Sequence, residues 1–133
     1  VYSLVFPNAK IVKTGSITAE MVKYFTNTFL ATKVSFANEM KLICDGLNID
    51  YDKVVEYSTY DERLGKSHWA VPGPDGKLGF GGSCFPKDIN ALLDLANKLE
   101  IDVFTLDGTW ETNLKVRPEK DWEDLKGRAV VDE

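Results

Sequence analysis

Thr18–Gly46, TAEMVKYFTNTFLATKVSFANEMKLICDG, contains no proline and no glycine before its last residue. Thr18 can cap a helix, Glu20 falls in the first turn, and Asp45-Gly46 supplies a stop. At 100° per residue, Val22, Phe25, Phe29, Phe36, Met40, Ile43 and Leu47 fall within about 60° of one another, a strong apolar stripe. The pattern predicts one long, well-buried helix. Its roughly 28 residues would span about 42 Å at 1.5 Å per residue, more than so short a chain can cover alone. A second copy of the chain is the expected cover.

On the N-terminal side, residues 1–17 hold Pro7 and then AKIVKTGS, where Ile11 and Val12 suggest a short strand. On the C-terminal side, Asp50 can cap a shorter helix carrying Val54, Val55 and Tyr57, with Arg63 as the cation at its end. KSHWAVPGPDGKLGFGG, residues 66–82, reads as an irregular loop. Then comes GFGGSCFPKDINALLDLANKL, Gly79–Leu99. Its glycines permit a tight bend and a close approach to a ligand, and Pro86 fits the first position of a helix on which Ile89, Leu92, Leu93, Ala96 and Leu99 recur. A further helix is expected from about Phe104 to Lys115, stopped by Pro118, with WEDLKG giving at most one more turn. Trp110 and Trp122 pack on the core in this reading, and the charged end is a tail. The fold class is therefore mostly α.

Composition narrows the function classes. The 133 residues make one domain's worth of chain, and 44% hydrophobic with 11% aromatic content suffices for an ordinary core. A net charge of −5 with no lysine or arginine cluster argues against nucleic acid as a partner. No run of about 18 apolar residues predicts a membrane span, and no signal peptide is read at the start. Two cysteines, Cys44 and Cys84, make no disulfide framework, which suits a reducing, cytoplasmic setting. No G-x-G-x-x-G stands between a strand and a helix, so the dinucleotide fingerprint is absent.

The chemistry-bearing candidates are few. With Pro86 as the first helical residue, Cys84 stands just outside a helix N-terminus, where free amides and the dipole favour a thiolate. Asp88 follows inside the first turn, within reach of a water near the sulfur. The competing interpretation of Cys84 is a small packed hydrophobe. Lys23 and Asn27 lie four apart and about 40° from each other, to one side of the phenylalanine stripe, which by itself describes a solvated face. His68 is the only histidine, so no metal site built from histidines is expected, and a Cys84–His68 pairing is the one hydrolase arrangement available.

GFGGSCFPKD resembles the active-site signature of the nucleotide-sugar 6-dehydrogenases, and AEMVKYFTNTFLATKVSFANEM resembles the central helix of the same family. The resemblance extends to about residue 115. It implies a helical domain similar to the C-terminal type of 6-phosphogluconate dehydrogenase, with a long central dimerisation helix. In this frame residues 1–17 are the trailing edge of an N-terminal Rossmann domain, 18–115 the central catalytic and dimerisation domain, and 116–133 a C-terminal tail. The implied activity is NAD-dependent oxidation of UDP-glucose to UDP-glucuronate, with GDP-mannose as the alternative substrate and a catalytically silent dimerisation module as the alternative class. By the same resemblance Cys84 forms the covalent thiohemiacetal and thioester, Lys23 and Asn27 stabilise oxyanions, and Asp88 assists hydrolysis. Arg63, Gly81, Phe80 and His68 are the implied substrate contacts, with Arg63 reaching the partner subunit's site in a homodimer. Lys87 is the implied contact to NAD, which a domain outside this chain would mainly hold, so the isolated chain is expected to turn nothing over. PGPDGK reads as an insertion relative to the family pattern, and no metal is implied.

Overall fold

The computed structural model describes residues 12–125, and among them only helices and connecting turns occur. Four helices carry the fold: α1 Val12–Gly46, α2 Tyr51–Ser58, α3 Cys84–Lys98 and α4 Phe104–Val116, with short 3-10 turns at Glu62–Leu64 and Asp121–Leu125. α1 is the spine. It packs along α3 and α4 and less extensively against α2, and α3 also touches α4.

α1 is longer than the cap signals indicate. It already runs at Val12, so Val12 belongs to the helix and not to a strand; Ile11, like the rest of residues 1–11, lies outside the described residues. Thr18 is consequently an interior residue, because nothing in V-K-T-G-S breaks a helix once tertiary packing holds its C-terminal two-thirds.

The second correction concerns which face of α1 is covered. Phe25, Phe29, Phe36, Ile43 and Leu47 are all more than half exposed. The buried residues are Thr28, Ala31, Lys33, Ser35, Ala37, Asn38 and Cys44. Small side chains let α4 come close: Ser35 Oγ donates to the Thr109 carbonyl at 2.7 Å, and Thr109 Oγ1 donates to Thr32 Oγ1 at 3.0 Å. A hydrophobicity pattern marks the face that seeks cover, and here the chain's own helices occupy the other one.

Two apolar clusters flank this seam. Ala31, Phe80 and Ile89 anchor one, with Val34, Phe85, Leu93, Leu106 and Trp110 against them. Ala37, Cys44, Tyr51 and Val71 anchor the other. Trp122 is buried, its ring tilted against Trp110 with centroids 5.1 Å apart, so the chain beyond α4 returns to the body.

The smaller elements follow local chemistry. Asp50 caps α2 as expected, accepting from the amides of Asp52 and Lys53. α2 ends at Ser58, however, and Arg63 sits in the following 3-10 turn, which Asp61 caps. α4 ends just before Arg117, whose backbone (φ −128, ψ 70) has left the α region that a following proline disfavours.

Candidate active site

α3 opens at Cys84, two residues earlier than Pro86 would mark, with Ser83 at the N-cap position. Proline is tolerated throughout a first turn, where no amide is needed, so Pro86 fits the third position as well as the first. Cys84 is therefore inside the first turn, exposed, with Ser83 Oγ 4.0 Å from its sulfur. Cys44, by contrast, is buried in the core.

One turn along the same face of α3 lies Asp88, wholly buried. Asn27 Nδ2 on α1 donates to Asp88 Oδ2 at 2.6 Å, and Asp88 Oδ1 has no hydrogen-bond partner among the described residues. A buried carboxylate oxygen without a donor is costly unless water or a ligand group meets it. The bond ties the Asn27 turn of α1 to the turn of α3 below Cys84. Lys23, one turn before Asn27 on α1, is exposed.

The remaining candidates divide. Phe80, Gly81 and His68 line a cleft of about 630 Å³ together with Phe85, Gly73 and Asp75. His68 Nδ1 pairs with Ser67 Oγ at 2.9 Å and its ring faces Phe85, with centroids 5.7 Å apart. Burial, then the Lys33 charge, holds the His68 pKa below its ordinary value, so the ring is neutral near pH 7. Cys84, Lys23, Asn27 and Arg63 do not line this cleft. Arg63 is 89% exposed and forks onto Asp61, which thereby titrates lower than an ordinary carboxylate. Lys87 is half-buried on α3.

The loop before Cys84 is held by residues that the sequence reading did not single out. Asn113 bonds the Phe80 backbone in both directions, accepting at 2.7 Å and donating at 3.0 Å, and Asn38 Oδ1 accepts from the Gly79 amide at 3.2 Å. A side chain on Gly79 would run into Asn113, and one on Gly81 into Arg117 and Asp121. Two of the loop's glycines are thus needed for the chain's own close packing. No local pattern announces this, since Asn113 and Phe80 are 33 positions apart.

Among the described residues there is no strand and hence no βαβ turn to cradle a dinucleotide. No group of three or more metal-ligating side chains occurs among them, nor any helix long and apolar enough to cross a membrane.

Fold and site together define a helical domain that presents a cysteine in the first turn of a helix, one turn from a buried carboxyl group bonded to a half-buried carboxamide of a second helix. The family model of the UDP-glucose/GDP-mannose dehydrogenase family, central domain, matches residues 17–115. The chain belongs to that family. It is 40% identical over 110 residues to the UDP-glucose 6-dehydrogenase TuaD of Bacillus subtilis, covering 83% of this chain and 23% of that protein. It is 37% identical over 136 residues to the UDP-glucose 6-dehydrogenase of Rickettsia prowazekii, covering 96% and 30%. A solved UDP-glucose dehydrogenase from the archaeon Pyrobaculum islandicum superposes with a TM-score of 0.67 at 38% identity, covering 74% of this chain and 22% of that one. The chain thus spans less than a third of the length of these relatives.

Proposed function

We propose that this chain is the central catalytic and dimerisation domain of an NAD-dependent UDP-glucose 6-dehydrogenase, which oxidises UDP-glucose to UDP-glucuronate. The observation that carries the proposal is the Asn27–Asp88 bond, with Asp88 Oδ1 left without a partner among the described residues, one helical turn from an exposed Cys84. Cys84 sulfur adds to the C6 aldehyde of the half-oxidised sugar, giving a thiohemiacetal whose oxyanion Lys23 and Asn27 stabilise. NAD, which residues outside this chain would mainly hold, would accept one hydride from C6 as the alcohol becomes the aldehyde and a second as the thiohemiacetal becomes the thioester. Water then cleaves the thioester: its oxygen bonds to C6, one of its protons goes to Asp88, and the C–S bond breaks to return the Cys84 thiolate. Fixed donors at a developing oxyanion are each worth about 2.7–4 kcal/mol where one has been removed.

The half-exposed aromatic stripe of α1 is covered by the same stripe of a second copy, and Arg63 of each copy reaches the other's sugar site. Phe80, Gly81 and His68 contact the nucleotide sugar from within the chain, and Lys87 faces the cofactor. Cytoplasmic conditions keep both thiols reduced, and neither nucleic acid nor membrane takes part.

The test is product analysis with the full-length enzyme. Two NADH should form per UDP-glucose consumed, Cys84→Ala should form no UDP-glucuronate, and the isolated chain should form no NADH. Turnover of GDP-mannose but not UDP-glucose would move the substrate assignment. No turnover of either would leave a silent dimerisation module, and UDP-glucuronate from Cys84→Ala at the wild-type rate would overturn the covalent mechanism.

A further inference from the structure

Arg117 is 2% exposed, yet it carries a full charge into the wall of the cleft. A guanidinium has five N–H donors, and burying it is costly unless they are met. Every one has an acceptor. Nε donates to Asp121 Oδ1 at 2.7 Å, Nη2 to Asp75 Oδ2 at 2.6 Å and to Asp121 Oδ2 at 3.2 Å, and Nη1 to the carbonyls of Leu78 at 3.1 Å and Gly79 at 3.4 Å. Asp121 Oδ2 also accepts from the Gly82 amide at 3.2 Å. With its donors committed to the chain and two carboxylates against it, this arginine is poorly placed to bind an anionic substrate.

Its contacts converge on the backbone that leads into Cys84. Arg117 holds Leu78 and Gly79 directly and Gly82 through Asp121, two residues before the sulfur. The family model ends at residue 115, so Arg117 and Asp121 lie beyond it, while Asp75 lies in PGPDGK. Arg117 holds both carboxyls below the ordinary carboxylate range, and they in turn outweigh the burial that opposes its charge. The trio therefore stays ionised at neutral pH.

We infer that Arg117, bridged to Asp75 and Asp121, is a positioning residue for Cys84: it latches the glycine loop so that the first turn of α3 presents its amides to the sulfur. This rests on the enzyme function proposed above. The latch gives PGPDGK a task, since it brings Asp75 to a residue 42 positions away.

The test follows alkylation of Cys84 and Cys44 by iodoacetamide, read by mass spectrometry, in full-length wild type, Arg117→Lys, Asp121→Asn and Asp75→Asn. Cys84 is already exposed, so its rate reports the environment of the sulfur more than access to it. Lysine keeps the charge but not the fork. Arg117→Lys and Asp121→Asn should slow Cys84 alkylation about fivefold, the scale of a helix-terminus effect, and lower kcat while KM for UDP-glucose stays within about twofold. Cys44 should remain protected. Should Arg117→Lys fail to fold, Cys44 becomes reactive, and Asp75→Asn decides, because that side chain is 48% exposed and its loss leaves the core intact. Fast wild-type alkylation with unchanged rates in the folded variants overturns the latch alone. A wild-type Cys84 no faster than free cysteine overturns the enzyme reading and the positioning role with it.

Discussion

Asp88 is wholly buried and bonded to Asn27, 61 positions away. Neither is legible in the sequence, which reads Asp88 as a first-turn acid, whereas α3 opens at Cys84 and so places it one turn further in. Burial also marks Tyr51, which sits in the second apolar cluster and donates its hydroxyl to the Trp69 carbonyl at 2.6 Å. Desolvation first, then the nearby Asp52 charge, pushes its pKa up to about 12. The folded state thus holds the phenolic proton more tightly than the unfolded chain, whose tyrosines titrate near pH 10. That stabilisation is fully present below about pH 10 and is lost as pH rises towards about 12. A spectrophotometric titration should show a late-ionising component that is missing in Tyr51→Phe; a titration curve that the substitution leaves unchanged above pH 10 would contradict the burial argument.

At the scale of elements, the loop and helix signals were uneven guides. α3, α4 and the Asp50 cap are readable from sequence because each rests on contacts within a few residues: apolar spacing, a capping carboxylate, a proline after the end. The start of α1 and the burial of its faces are not, because they depend on which helices arrive later in the chain. The Arg117 cluster is invisible for the same reason, as Asp75 and Asp121 flank it at 42 and 4 positions. The glycine loop looks in sequence like a ligand cradle, whereas Gly79 and Gly81 are fixed by side chains of the chain itself. Gly81→Ala should therefore cost about 1–3 kcal/mol in urea unfolding, the range of an overpacked core, while Gly46→Ala, where a Cβ meets nothing within 4 Å, should stay close to wild type. Equal stabilities of the two variants would show that the loop can yield.

The whole molecule is a spine with two unequal sides. One side of α1 is closed by α3 and α4 over small and polar residues, and the other presents Phe25, Phe29, Phe36, Ile43 and Leu47 in one row. This exposed apolar row is the surface that the proposed pairing of two copies would bury. Phe25→Glu combined with Phe29→Glu should weaken self-association by at least about 2 kcal/mol, roughly thirtyfold in Kd, and give a monomer by light scattering with helical content kept, since neither ring is in the core. A double variant that remains a dimer would remove α1 as the interface.

Family membership, the Asn27–Asp88 bond and the loop latch all bear on whether the Cys84 sulfur is the group that meets the sugar. Alkylation of that thiol in the full-length enzyme, with and without saturating UDP-glucose, measures this most directly. The account predicts that Cys84 reacts faster than free cysteine and that UDP-glucose slows it at least about tenfold while Cys44 stays protected throughout. A Cys84 rate indifferent to the nucleotide sugar would contradict it.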